Sequence, residues 1–492
     1  MSGKKMNLEK NISQKRQNGI YHTPYTTAQH MVNIILPFIT EHTKILDPAA
    51  GDGVFVEILI DHGVDPAKIT AHDINDEKIL SLTKLGVNAE LKDTLLDEYE
   101  KKDIIIGNPP YKSRRNSTYI KENKRKLKDR YGFIGLHNLY SLFIVNAIQN
   151  LNNKGVICLI VEDGFLTNRY YYSLRKFILD NCKILEIKLA PRRLFHQSKA
   201  DVRTAIVTLQ KIKLSTYLEN NHKMRLIDRL MTEEEYEKPP RVQMIPQIDF
   251  RKMPDLKFFV GIPRSIIKFI QNSNIKFGDF AKGGTGISTG DDKKYLRQAR
   301  EVKNDPKWVG FYKSGQRTPY YYQTPFYIEK DYQKNASNDP KNFLVRNKQF
   351  FFKEGITCSS VGRKFSAAYM PPGNLFGINA NFFFKDKNDL FFALGFLNCK
   401  ITQYFARKVV NRSNIVATSF IKEIPFIIPS VKQKEKVVKL VKTMVTSLMQ
   451  DPNSKFSSVQ NQIDEIFFKI YNINECDRSE IMDFCENIME RA

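Results

Sequence analysis

The sequence predicts a doubly wound α/β domain built on a parallel sheet, then a separate α+β domain, then a helical C-terminal region. Three observations predict this. Short β-branched runs alternate with stretches of helical spacing over residues 19–215. Glycine- or aspartate-bearing loops sit where successive runs end, the place at which open α/β sheets bind ligands. Beyond about Leu214 the alternation breaks, and aromatic-rich short strands replace it.

The elements follow in order. Residues 1–18 are polar and lysine-rich, and read as a flexible leader. A helical pattern runs through Met31, Ile34, Ile35 and Phe38. Thr43 to Leu46 reads as a strand entering Asp47-Pro48-Ala49-Ala50-Gly51-Asp52-Gly53, and Val54 to Ile60 resumes helical spacing. Lys68 to His72 is a second strand ending at Asp73, and Asn88 to Leu91 a third ending near Asp93. The fourth, Asp103 to Gly107, stops in Asn108-Pro109-Pro110-Tyr111. Gly155 to Val161, Leu185 to Leu189 and Thr204 to Leu209 complete the set, the last two as a hairpin-like edge. Residues 216–256 contain Pro239, Pro240, Pro246 and Pro254 and read as a linker. Residues 257–429 read as an independent α+β domain, and 430–492 as helices with one apolar face.

Composition narrows the function classes. Lys and Arg number 77 against 53 Asp and Glu, a net charge of +24 that favours a polyanionic partner. The six cysteines show no C-x-x-C pair, and no histidine spacing suggests a metal site, so no metal is expected. Neither a secretory signal nor a membrane-length apolar run is present; a cytoplasmic protein without a membrane partner is expected.

Two stretches carry chemistry. Gly51 and Gly53 permit a tight turn and close backbone approach, as nucleotide loops require. A carboxylate at the next strand end, Asp73, can accept ribose hydroxyls, and Asp93 can accept from an adenine amino group; singly each aspartate reads better as a helix N-cap, and it is Asp47, Asp73 and Asp93 together at successive strand ends that favour a ligand. A dinucleotide-binding dehydrogenase needs a third glycine where Val56 stands, and leaves Asn-Pro-Pro-Tyr without a role. The two prolines stiffen the loop that presents Asn108 and Tyr111, although a proline-terminated strand with an ordinary tyrosine gives the same string.

In order, Gly19-x-x-x-Thr23-Pro24, Asp47 to Gly53, Asp73, Asp93 and Asn108-Pro109-Pro110-Tyr111 resemble the γ-class adenine-N6 DNA methyltransferases. The resemblance spans most of residues 18–210 and implies a Rossmann-like methyltransferase sheet with helices on both faces. It implies S-adenosylmethionine as cofactor, held by Tyr21, Thr23, Asp47, Pro48, Ala49, Gly51, Gly53, Asp73, Ile74, Asp93, Thr94 and Phe143. It implies catalysis by Asn108, Pro109, Pro110 and Tyr111, with Phe195, in Leu194-Phe195-His196-Gln197, as a second aromatic for a flipped base. Glu162-Asp163-Gly164-Phe165 departs from the family, which often has a proline-led stretch there.

Double-stranded DNA is the partner implied, through the basic run Lys112, Arg114, Arg115, Lys124 and Arg125. Residues 257–429 then become a target-recognition domain, with Lys313, Arg317 and Arg363 among its candidate DNA contacts. A monomer is expected, as part of or derived from a restriction-modification system that can include a separate endonuclease. The alternatives are methyl transfer to RNA adenine or to a protein glutamine amide, and a combined restriction-modification enzyme.

Overall fold

In the computed structural model, β1 (Ile45–Asp47) is flanked by β2 (Ile69–Asp73) on one side and β4 (Lys102–Gly107) on the other, all parallel. The structure describes residues 21–191, 194–195, 202–212, 221–302, 305–313, 318–359, 364–410 and 417–488. Contacts divide the chain into two units, Met1–Ile262 and Pro263–Ala492.

The first unit holds a nine-stranded sheet. It adds β3 (Asn88–Leu91), β5 (Leu151–Glu162), β6 (Cys182–Leu189), β7 (Thr204–Lys211), β8 (Lys223–Ile227) and β9 (Val242–Pro246), in the order β3-β2-β1-β4-β5-β7-β6-β8-β9. β3 to β5 run parallel, whereas β7 is antiparallel to both β5 and β6. The apolar runs do what their composition dictates: Ile104, Ile105 and Ile106 are at most 1% exposed, as a strand covered on both faces requires. Sequence order turns back between β1 and β4, so a crevice lies at their carboxyl ends.

Three helices fix the loops beside that crevice. α1 (Tyr25–Ile35) buries Ala28, Met31, Val32 and Ile35. α2 (Val54–Asp61) starts from Gly53 at φ +86°, a left-handed conformation that strains any residue with a Cβ. α3 (Asp76–Thr83) is capped by Asn75, whose side chain accepts from Glu77 N at 2.9 Å, with Asp76 and Glu77 favourably placed in the first turn.

Two sequence expectations change here. The edge is not the β6–β7 hairpin, because β6 pairs in parallel with β8, and β8 with β9 beyond it. The linker reading of residues 216–256 is therefore corrected: this span contributes two strands to the first sheet. Its prolines are compatible because Pro246 is the last residue of the edge strand β9, where a missing N–H costs no ladder bond.

Close packing of β1 on β4 depends on Gly107. A Cβ there would stand 2.8 Å from Asp47 Oδ1 and 3.1 Å from Pro48 Cδ. Gly107→Ala is expected to lower stability by about 1–3 kcal/mol, read as an earlier denaturant midpoint. An unchanged midpoint would mean the two strand ends can separate freely.

The second unit holds two smaller sheets. β10 (Lys282–Gly284), β18 (Asn381–Phe383), β15 (Gly355–Cys358), β16 (Ala367–Met370) and β13 (Tyr320–Tyr321) form one. β11 (Leu296–Gln298), β14 (Phe326–Glu329), β12 (Trp308–Tyr312) and β17 (Leu375–Phe376) form the other. The helix Lys387–Asn398 packs so tightly on Val431–Gln450 that a Cβ on Gly395 would lie 2.7 Å from Val437 Cγ1. The C-terminal helices thus share a core with the domain before them.

Candidate active site

A cleft of about 590 Å³ opens at the β1/β4 switch point, a volume suited to a cofactor-sized ligand. Its lining includes Tyr21, Thr23, Pro48, Ala49, Gly51, Asp73, Ile74, Asp93, Thr94, Asn108, Pro110 and Phe143. Residues expected separately for cofactor and catalysis are thereby brought together. Asp47 and Gly53 lie behind this lining and shape the glycine loop.

The loop after β1 is held from below. Gly51 N donates to Asp73 Oδ2 at 2.9 Å, and Asn75 N to Asp73 Oδ1 at 2.9 Å. One carboxylate therefore fixes both the glycine turn and the start of α3, and each oxygen keeps a further lone pair. Thr94 Oγ1 donates to Pro48 O at 2.7 Å, which leaves it to accept from His72 Nδ1 at 3.0 Å. Burial lowers the His72 pKa to about 4, so this ring is neutral at pH 7. Asp47 accepts from Ala49 N at 3.2 Å through Oδ1, while its Oδ2 is buried without a partner among the described residues. Burial pushes the Asp47 carboxyl up to about 7.

At the end of β4 the Asn108 amide is fully oriented. Nδ2 donates to Tyr21 O at 2.9 Å and to Thr23 Oγ1 at 3.0 Å. With both donors engaged, the amide cannot flip, and Oδ1 accepts from the Tyr111 hydroxyl. The same hydroxyl lies 2.9 Å from Ile160 O. Oδ1 retains a second lone pair for an incoming N–H.

The aromatic residues depart from expectation. Tyr111 is not an open stacking platform: it is 7% exposed and packs against Tyr21 at 5.6 Å, Tyr140 at 6.2 Å and Phe195 at 6.1 Å. Phe195 also meets Tyr21 at 5.4 Å. These are direct ring–ring separations, with no gap for a sandwiched base. Tyr21, Tyr111 and Phe195 fill one another's faces, so a base can enter only if they part. His196 and Gln197 lie outside the described residues.

Asp93 also differs from expectation. Both of its oxygens accept from the Tyr119 hydroxyl at 2.9 Å, and Oδ1 takes Leu95 N at 3.1 Å. A second grouping absent from the sequence reading lies at the cleft's edge. Asp52 pairs with His22 Nδ1 at 2.6 Å and with Lys78. His22 and Lys78 flank predicted cofactor positions, but no spacing marks them as partners of Asp52.

Lys112 lines the cleft, and Arg114, Arg115, Lys124 and Arg125 are exposed. Lys313, in the second unit, is paired with Asp292 at 2.5 Å. Arg317 and Arg363 lie outside the described residues. Glu162, at the family departure, accepts from Asn138 Nδ2 at 3.1 Å, and burial raises its carboxyl to about 7. No helix among the described residues is long and apolar enough to cross a membrane.

Residues 56–195 match the family described as Eco57I restriction-modification methylase. The chain is 28% identical over 209 residues to the Type II methyltransferase M.HincII of Haemophilus influenzae, covering 41% of this chain and 38% of that protein. It is 24% identical over 356 residues to the adenine-specific methyltransferase BrxX of Escherichia coli O9:H4 (strain HS), covering 66% of this chain and 28% of BrxX. Thus the matches span well under two thirds of these relatives. Among solved structures, the Type IIL restriction-modification enzyme MmeI in complex with DNA matches with a TM-score of 0.64 at 11% identity, covering 94% of this chain and 75% of MmeI. The resemblance to restriction-modification methylases and the methyltransferase fold are borne out, and S-adenosylmethionine is the cofactor they support. The cleft fits it: an acidic strand end at Asp73, open space over Gly51 that a Cβ would enter, and the apolar side chains of Ile74 and Phe143.

Proposed function

We propose that this methylase-like chain transfers a methyl group from S-adenosylmethionine to N6 of an adenine flipped out of duplex DNA, as the modification activity of a restriction-modification system. The observation that carries the reading is the Asn108 amide, with its donors tied to Tyr21 and Thr23 and its oxygen presented beside the cofactor cleft. The adenine-specific name of BrxX and the DNA in the MmeI complex support the choice of base and polymer.

The bound cofactor supplies an electrophilic methyl group on a sulfonium. The chain's task is to make a poor nucleophile attack it. An exocyclic adenine amine has its lone pair delocalised into the ring. Asn108 Oδ1 and the Pro109 carbonyl accept its two N–H groups, favour a pyramidal nitrogen and stabilise the positive charge that grows on it. The N–C bond forms as the S–C bond breaks, and the nitrogen then sheds a proton to water without a strong base. Extruding the base costs a few kcal/mol. Parting of Tyr111 from Phe195 and Tyr21 converts their mutual contacts into contacts with the base, recovering roughly 1–3 kcal/mol per aromatic platform. Asp73 holds the cofactor ribose, and Ile74 and Phe143 enclose its adenine. The second unit reads the target sequence; a separate endonuclease is the expected partner, and the chain acts as a monomer.

Labelled methyl transfer to unmodified duplex DNA, RNA and cell protein tests this, followed by nucleoside analysis for N6-methyladenine. Label in duplex DNA as N6-methyladenine is expected. Label confined to RNA or to glutamine amides would replace the proposal with those substrates, and magnesium-dependent cleavage of plasmid would make the chain a combined enzyme. The basic run adds a salt-dependent prediction. Changing Arg114, Arg115, Lys124 and Arg125 to Ala should reduce the slope of log affinity against log salt by about 0.9 per lost phosphate contact. An unchanged slope would assign these side chains to solvent.

A further inference from the structure

The basic stretch behind the catalytic loop forms α4 (Thr118–Glu122) and α5 (Lys124–Tyr131). Lys121, Lys124, Arg125, Lys126 and Lys128 are exposed, while Ile120, Leu127 and Tyr131 are buried. A purely solvated basic face would leave such helices loosely attached. Instead both ends are bonded to residues 93–98, the turn that follows β3.

At one end the Tyr119 hydroxyl meets both Asp93 oxygens at 2.9 Å. At the other, the Tyr131 hydroxyl donates to Leu95 O at 2.8 Å, and Arg130 reaches Leu95 O at 3.3 Å and Glu98 at 2.7 Å. Asn146 completes the brace, donating to Tyr131 Oη at 2.9 Å and to Thr94 O at 3.0 Å. Asp93, Thr94 and Leu95 line the cofactor cleft, and so do Ser117, Thr118 and Tyr119. One wall of the cleft is thus made by the residues that begin the cationic segment.

We infer that Tyr119 is a positioning residue of the cofactor pocket, latching the basic segment onto Asp93 so that cofactor binding and polyanion binding are coupled. The inference rests on the proposed cofactor and DNA reading and deepens it. The phenol hydroxyl bridges both Asp93 oxygens and fixes the carboxylate rotamer. Leu95 N also bonds Oδ1, and among the described residues no further donor reaches Oδ2, which keeps a lone pair for a ligand N–H. Duplex phosphates on the lysine and arginine side chains hold the segment against residues 93–98, which keeps Asp93 in the orientation a bound cofactor needs. Because linkage is reciprocal, bound cofactor must then tighten duplex binding by the same factor.

The test uses the full chain with S-adenosylmethionine and a nonspecific duplex at low salt. Cofactor affinity and release rate are measured with and without duplex, for the wild type and for Tyr119→Phe. In the wild type, duplex should tighten cofactor binding roughly 5–150-fold and slow its release. Tyr119→Phe keeps the ring and removes the bond. It should bind duplex alone as the wild type does, bind cofactor alone several-fold more weakly, and show less than a twofold effect of duplex on the cofactor. A merely structural tyrosine would lower melting temperature without removing linkage. Wild-type binding of both ligands without linkage, or linkage retained in Tyr119→Phe, overturns the latch and leaves the proposed function standing. Failure of the wild type to take up cofactor or duplex overturns both. If Tyr119→Phe does not fold, replacing the exposed Lys124, Arg125 and Lys128 by Ala decides: these lie outside the cleft, so cofactor affinity alone should hold while the effect of duplex on it falls, and an undiminished effect overturns the latch.

Discussion

Asn108→Ala is expected to lower methyl transfer by at least about 10²–10³-fold, the usual cost of removing one preorganised polar group from a transition state. Asn108 does two jobs, and the substitution separates them by size. In the proposed reaction its Oδ1 accepts from the reacting amine, so its loss would raise the barrier directly. Its Nδ2 ties down Tyr21 and Thr23, which line the cofactor cleft, so cofactor affinity should also fall, but only several-fold, as for ordinary hydrogen bonds. Single-turnover rates at saturating cofactor isolate the first effect, and cofactor titration the second. Asn108→Asp sharpens the test: it keeps an acceptor but loses both donors and adds charge, so it should be nearly as inactive and should bind cofactor less well. More than about a tenth of wild-type activity in Asn108→Ala would remove the amide from the reaction.

What could be read in the sequence was local. The Asp47 to Gly53 turn and the Asn-Pro-Pro-Tyr loop are written in residues whose backbone restrictions act over a few positions, so their place at strand ends follows from chemistry. What could not be read was pairing at a distance. Tyr119 and Asp93 lie 26 residues apart, and Asp52 and Lys78 also 26. Their meeting depends on the order of strands in the sheet, which no window of sequence contains. Strands β8 and β9 were hidden for a different reason. Proline signals a linker in most settings, yet an edge strand tolerates it at its end, so composition misleads where topology decides. The motif marks Tyr111 as an aromatic side chain but not as a covered one: burial by Tyr21 and Phe195 is a property of the folded site.

Asp73→Ala should be the most damaging single change for the cofactor, because its carboxylate anchors two loop donors and, in the proposed complex, also accepts from the cofactor ribose. Its oxygens accept Gly51 N and Asn75 N, so the substitution leaves two loop donors to water and frees the glycine turn. Each charge-assisted bond contributes about 1.5–3 kcal/mol; loss of the loop anchor together with the ribose acceptors should weaken cofactor binding about 100-fold or more. Much of the deficit is preorganisation, so Asp73→Asn separates the parts. An amide oxygen can keep one backbone bond while its NH2 opposes the other, giving partial order in the loop and poor acceptance from the ribose. Calorimetric titration should therefore rank wild type above Asn above Ala, with melting temperatures in the same order but more closely spaced. If Asn bound cofactor as tightly as Asp while Ala did not, the carboxylate would serve the loop alone, and ribose recognition would belong to another residue of the cleft.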